Sequence, residues 1–351
     1  MKLKQIPEDF FVKEIIKIKP KKKGDYCYIL LKKKNWTTTR AIESLALRLR
    51  IDPKQFHFAG LKDKDGITEQ IVSAYKIDTE FLKNIKIKDI ELTLLGFGDG
   101  AIKIGSHLGN EFSVVVRDLD QPLSTDNLQI PNYFDDQRFG GSIRAVTHLV
   151  GEAIVEENYE EAVKRLLLNP FPAESEANKK YRKQMQQQWP DMKGIQVPRN
   201  LFEEQRVVKS LQEVPGDFKK AISCLPRRLL TLCIHAYQSY LFNLRLAEDV
   251  EQQEKYVYIP YVLGNIPIPL RLASERKFPL TGFDIISFQE LSTRTLQRPG
   301  YIFPEQFSIS KLEEDEVNRD KKKQTLTFRL SKGSYATIVA KTLYARSLKV
   351  E

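Results

Sequence analysis

Two periods organise the apolar positions of this chain. Aromatic and β-branched residues gather over Asp25–Lys33 (Tyr26, Tyr28, Ile29) and predict a strand. Thr37, Thr38 and Thr39 then offer N-cap hydroxyls, and Ile42, Leu45 and Leu49 follow at helical spacing. Gln55–Ala59 and Ile67–Ala74 read as strands on either side of a charged loop, and Glu111–Arg117 as a further strand. From about residue 142 the period lengthens. Glu152–Leu168 is helical, Asn178–Gln188 is a polar cationic stretch, and Pro226 opens a helix with Leu229, Cys233, Tyr237, Tyr240, Leu241 and Leu244 on one broad face. Proline suits a first helical position, where its missing N–H has no partner to lose. Thr325–Leu330 alternates again, and Gly333 leads into a last helix, Tyr335–Leu343. Strand-rich ends around a helical middle predict an α+β protein with an inserted domain.

Composition adds a partner class. Lysine and arginine total 56 against 46 aspartates and glutamates, a net charge of +10 that suits a polyanion such as nucleic acid. At 351 residues the chain has room for about two domains. No apolar run approaches the roughly 18–20 residues that span a bilayer. Met1–Asp9 carries charges and a proline where a signal peptide has an apolar core, so a cytoplasmic protein without membrane contact is expected.

Cofactor chemistry finds little support. Gly96, Gly98 and Ala101 imitate a dinucleotide fingerprint, but Ile102 and Ile104 alternate with Lys103 and Gly105 where that motif requires a helix. A glycine-rich hairpin is expected instead. Cys224, Cys233 and His235 are the one local group of metal-ligand types. On a helix, positions 233 and 235 point roughly 200° apart, so they cannot close on one ion. No metal is expected.

Two segments carry candidate chemistry. In Phe58–Gln70, Asp63 lies between Lys62 and Lys64. One reading is a solvated hairpin tip, with Asp65-Gly66 as the turn. The other is an aspartate kept ionised by flanking lysines and able to act on an anomeric carbon as nucleophile or base. Pro131–Gly140 packs three aromatic residues with Arg138, as either a core turn or a base-stacking surface with a phosphate or base contact. Arg40, Arg48, Lys179, Lys180 and Arg182 are candidate phosphate contacts on otherwise polar faces.

These segments, in order, resemble the TruD family of RNA pseudouridine synthases, nearly end to end. Lys4–Glu14 is similar to the family's K-x-x-P-x-D-F-x-V-x-E block, and Ala59–Lys64 with Thr68–Gln70 to the block bearing its catalytic aspartate, which falls on Asp63. Gly109–Phe112 resembles G-N-x-F, Asn132–Gly140 N-Y-F-x-x-Q-R-F-G, His235–Asn243 H-A-Y-Q-S-x-L-F-N, and Gly333–Thr337 the closing G-S-Y-A-T.

The resemblance implies a pseudouridine-synthase-type catalytic domain with a mixed or antiparallel sheet, made from residues 1–135 and 291–351. A mostly helical domain, residues 136–290, is inserted between. It further implies isomerisation of uridine to pseudouridine in tRNA, at uridine-13, without cofactor. Asn110 and Phe112 would line the active site, Phe112 stacking on the extruded uracil. Arg138 would contact the substrate, and Lys4 would pair with Asp63 or touch the RNA. A monomer is expected. The competing classes are a non-catalytic tRNA-binding protein, which has no use for Asp63, and an RNA methyltransferase, which needs the cofactor turn rejected above.

Overall fold

The computed structural model describes residues 1–141, 144–253 and 255–348. The chain divides into two compact units, Met1–Ile130 with Phe303–Glu351, and Pro131–Ile302. The family resemblance puts these joins at 135/136 and 290/291; Leu296–Pro299 pairs with Lys277–Leu280, which ties the segment before residue 302 to the second unit.

The first unit is built on a nine-stranded sheet. Its strands are β1 (Phe10–Ile15), β2 (Tyr26–Lys34), β3 (Phe56–Phe58), β4 (Ile67–Tyr75), β5 (Ile90–Gly98) and β6 (Gly109–Leu119), with Glu305–Ile309, Glu313–Glu314 and Lys322–Ser331 from later in the chain. The main path across the sheet runs Glu305–Ile309, Lys322–Ser331, β6, β1, β4, β2, β5. β1 and β4 are parallel, and the other neighbours on this path are antiparallel.

Alternation decides what each strand buries. On β2 the inward positions are Cys27, Ile29 and Leu31, then Lys33 in the same phase. On β1 they are Phe10 and Val12, then Glu14. Helix α1 (Thr38–Leu49) starts where expected, with the Thr37 hydroxyl accepting from the Arg40 amide. Its Ala41, Ile42, Leu45 and Ala46 pack with Cys27, Ile29, Leu31, Val72 and Ala74 in one cluster. Each fully buried aliphatic side chain of this kind contributes about 1.5–3 kcal/mol.

The second unit is mainly helical around its own core, which includes Val150, Ile154, Val163, Leu167, Met185, Val207, Leu211, Ile222 and Ile234. The helical period over Glu152–Leu168 resolves into two helices, Thr147–Val155 and Tyr159–Leu167. Left-handed Glu157 (φ 55°) breaks it, and Asn158 caps the second helix by accepting from the Glu161 amide. Thr147–Val155 meets the long helix Arg227–Glu251 at Gly151, where a Cβ would stand 2.0 Å from the Cys233 carbonyl oxygen. Pro226 is the N-cap of that long helix, one position earlier than expected. Its buried face also turns away from the expected one: Leu230, Cys233, Ile234, Phe242 and Leu246 are inside, whereas Leu244 is exposed. The apolar period misleads here because Gln238 and Asn243 are buried too, satisfied by backbone groups of Thr281 and Phe134.

Candidate active site

The loop between β3 and β4 carries Asp63, and almost every turn of it is tied down. The Ala59 carbonyl accepts from the Gly105 amide (2.7 Å) and the Gly60 carbonyl from Gln70 Nε2 (3.0 Å). The Lys62 amide donates to Thr38 Oγ1 (3.0 Å), and the Gly66 carbonyl accepts from the Asn35 amide (3.2 Å). Lys33, reaching in from β2, donates through Nζ to the carbonyls of Trp36 (2.6 Å) and Asp63 (2.8 Å). Burial pulls the Lys33 ammonium down to about 8, with the Asp63 charge opposing and Lys62 reinforcing the shift.

This corrects the solvated-tip reading in part. Lys64 and Asp65 are exposed, but the Lys62 side chain is only 6% exposed. Its Nζ lies 2.7 Å from Glu14 Oε2 and donates to Asn110 Oδ1 at 2.8 Å. The Asp63 side chain remains 28% accessible, with Lys4 Nζ 3.1 Å from Oδ2. Lys4, left-handed at φ 55°, also holds its ammonium 4.0 Å from the centre of the Phe10 ring. His107 stands beside Gly60, and burial first, then the Lys62 charge, lowers its pKa.

A carboxylate on a pinned loop, flanked by ammonium groups and open to solvent, suits attack on or deprotonation of a bound sugar. Strand β6 delivers Asn110 opposite Glu14 of β1. On the other side of β6, Gly109 permits the close approach of Lys322–Ser331, since a Cβ there would meet the Leu330 carbonyl oxygen at 2.2 Å.

Comparison with known proteins bears on this geometry. Residues 1–259 match the family model for tRNA pseudouridine synthase D (TruD). The chain belongs to the TruD family. It is 30% identical to the "tRNA pseudouridine synthase D" of Aquifex aeolicus, with 99% of each chain covered. It is 32% identical to a "Probable tRNA pseudouridine synthase D" of Methanosarcina acetivorans, over 96% of this chain and 91% of that one. A crystal structure bearing the TruD name, from Methanosarcina mazei, superposes with a TM-score of 0.72 at 29% identity, covering 98% of this chain and 93% of that one. The mixed sheet and helical insertion are therefore a TruD fold.

Of the residues singled out from sequence, the structure pairs Lys4 with Asp63, and Asn110 with Lys62, the residue before Asp63. Phe112 lies on β6 but its ring is buried between Phe10 and Phe328, with centroids 6.1 and 5.7 Å away. Packing, not an open stacking face, is its role in this structure. Arg138 belongs to the second unit, on the short turn Asp136–Phe139, where Nε donates to Ser239 Oγ (2.9 Å). Tyr133, Phe134 and Phe139 beside it are buried, so this segment is a core turn and not a stacking surface.

Among the proposed phosphate contacts, Arg40, Arg48 and Lys180 are exposed, and Lys179 pairs with Glu176. Arg182 is a correction. It is 1% exposed and held by Glu174 (2.7 Å) and Glu204 (3.0 Å), so it cannot meet a phosphate. The glycine-rich stretch ends β5 at Gly98 with no helix after it, and so lacks the helix N-terminus that a dinucleotide fingerprint needs. Cys233 is buried, which pushes its thiol up to about 12. Among the described residues no group of His, Cys, Asp and Glu is arranged to hold a metal, and no helix is long and apolar enough to cross a membrane.

Sequence reading gave no role to Lys33, nor to Glu14 beyond its place at the end of a family block. Both stand at the inward phase of a strand, after Phe10 and Val12 on β1 and after Ile29 and Leu31 on β2. A charge in phase with the core was the available signal.

Proposed function

We propose that this protein isomerises uridine to pseudouridine in tRNA, at uridine-13, with Asp63 as the catalytic carboxylate. The carrying observation is the accessible Asp63 side chain on a loop whose backbone is anchored on both sides. Membership of the TruD family supports the same reading. The reaction breaks N1–C1′, turns the uracil, joins C5 to C1′ and removes the C5 proton while N1 takes one up, so no atom is gained or lost. A fixed carboxylate serves it by attacking C1′, as in retaining glycosidases, or by taking a ribose proton while the base departs. Extrusion of the base from a folded RNA precedes either route. Lys4, 3.1 Å from Asp63 Oδ2, pairs with the carboxylate and leaves it accessible.

The test is incubation with an unmodified tRNA transcript and nucleotide-resolved detection of pseudouridine. Product at position 13, abolished in Asp63→Asn and retained in Asp65→Asn on the same loop, is expected. Product at another position overturns the site assignment, and wild-type product from Asp63→Asn overturns the mechanism. No product from the wild-type protein overturns the activity.

A further inference from the structure

Next to Asp63, the structure holds an ion pair that the mechanism above does not use. Glu14 and Lys62 face each other at 2.7 Å, with side chains 0% and 6% exposed. Such a pair is an expensive way to fill a core, because both charges leave water and apolar residues of equal volume pack as well. Here the exchange is not even complete: both Glu14 carboxylate oxygens are buried with no hydrogen-bond partner among the described residues, so Lys62 meets Glu14 as a charge only.

What the pair accomplishes is visible at its third member. Lys62 Nζ donates to Asn110 Oδ1 at 2.8 Å. An ammonium has three donors and no acceptor, so only the oxygen of the amide can face it. The orientation of the Asn110 amide is thereby fixed by chemistry, and Nδ2 with its two N–H groups is turned the other way. Asn110 is partly exposed, and its Nδ2 is not among the buried unsatisfied atoms.

We propose that Glu14 and Lys62 are positioning residues, whose ion pair locks the Asn110 amide so that Nδ2 is offered as a hydrogen-bond donor to a carbonyl of the uracil. This rests on the proposed isomerase activity and adds a reason for uridine as substrate. Uracil presents two carbonyl acceptors, whereas cytosine replaces one of them with an amine that meets this donor with a donor. A freely rotating amide would offer its oxygen half the time and lose that discrimination.

Asn110→Asp separates this from a merely structural network. Aspartate keeps an oxygen toward Lys62 and the shape of the side chain, but has no N–H to offer. The expected result is a single-turnover rate at least about 10-fold below wild type, with melting temperature unchanged and tRNA affinity within about 2-fold. A wild-type rate overturns the proposal. Should that variant melt early, Glu14→Gln combined with Lys62→Met removes both buried charges together and leaves neither unpaired. It is expected to fold and to stay slow, since the amide is no longer held. Wild-type turnover by the folded double variant overturns the proposal equally. If the wild-type protein itself makes no pseudouridine, the activity has failed and not this inference.

Discussion

Lys33 Nζ donates to the backbone carbonyl of Asp63 at 2.8 Å, so the loop that carries Asp63 hangs from a lysine that is itself 1% exposed. The contact is to main chain and not to the carboxylate. It therefore sets where the loop runs and leaves the Asp63 side chain to face Lys4.

The clamp predicts opposite pH trends for activity and stability. Burial sets Lys33 at about 8 in the folded protein against an ordinary value of 10.5. Between these values the unfolded chain binds more protons at this position, so its contribution to stability rises with pH. Over the same window the clamp loses its charge, and turnover is expected to fall. Single-turnover rates and melting temperatures from about pH 6.5 to 9.5 check this, with Lys33→Met as the reference. That variant starts slower and lacks the alkaline limb arising from Lys33. An unchanged limb in Lys33→Met would refute the assignment.

Two sets of basic residues are expected to behave in opposite ways. Removing Arg40, Arg48 and Lys180, all exposed, should flatten the log–log salt dependence of tRNA binding by about one unit for every phosphate no longer neutralised, with little change in melting. Arg182→Met should leave that slope alone. Its cost is in stability, about 3–5 kcal/mol, because Glu174 and Glu204 remain buried with their partner gone. Denaturant titration beside salt-dependent binding distinguishes them.

Phe112→Ala is expected to cost about 3–5 kcal/mol of stability, since its ring fills the space between Phe10 and Phe328. Phe112→Leu, which keeps most of the volume, should recover much of it. Chemical unfolding measures both. A variant as stable as wild type yet inactive would restore the stacking role read from sequence.

What could be read in advance depended on whether a residue acts through its neighbours in sequence or in space. The strand–helix–strand order from Tyr26 to Tyr75 was legible because side-chain period and N-cap chemistry are local. Asp63 was singled out through its motif. Lys4 and Asn110 came with the family blocks, but the way these side chains meet did not. Glu14, Lys33 and Asn110 reach the loop from three different strands, and no spacing within the chain encodes that meeting. Arg182 failed for the same reason: a cationic stretch looks solvated until Glu174 and Glu204 are seen beside it. Phe112 shares a face of β6 with Asn110, and the packing of Phe10 and Phe328 around its ring comes from two other strands that no local pattern shows.

The strand Lys322–Ser331 lies along β6, with Leu330 opposite Asn110 and Phe328 opposite Phe112. On the ribosome that strand appears long after β6, and the whole of Pro131–Ile302 is made in the interval. Units fold as they emerge. The helical insertion is then a finished body while the unit around it is still incomplete, its β6 left with an unpaired edge. Chain order thus keeps the nine-stranded sheet incomplete until residue 331 is free of the exit tunnel.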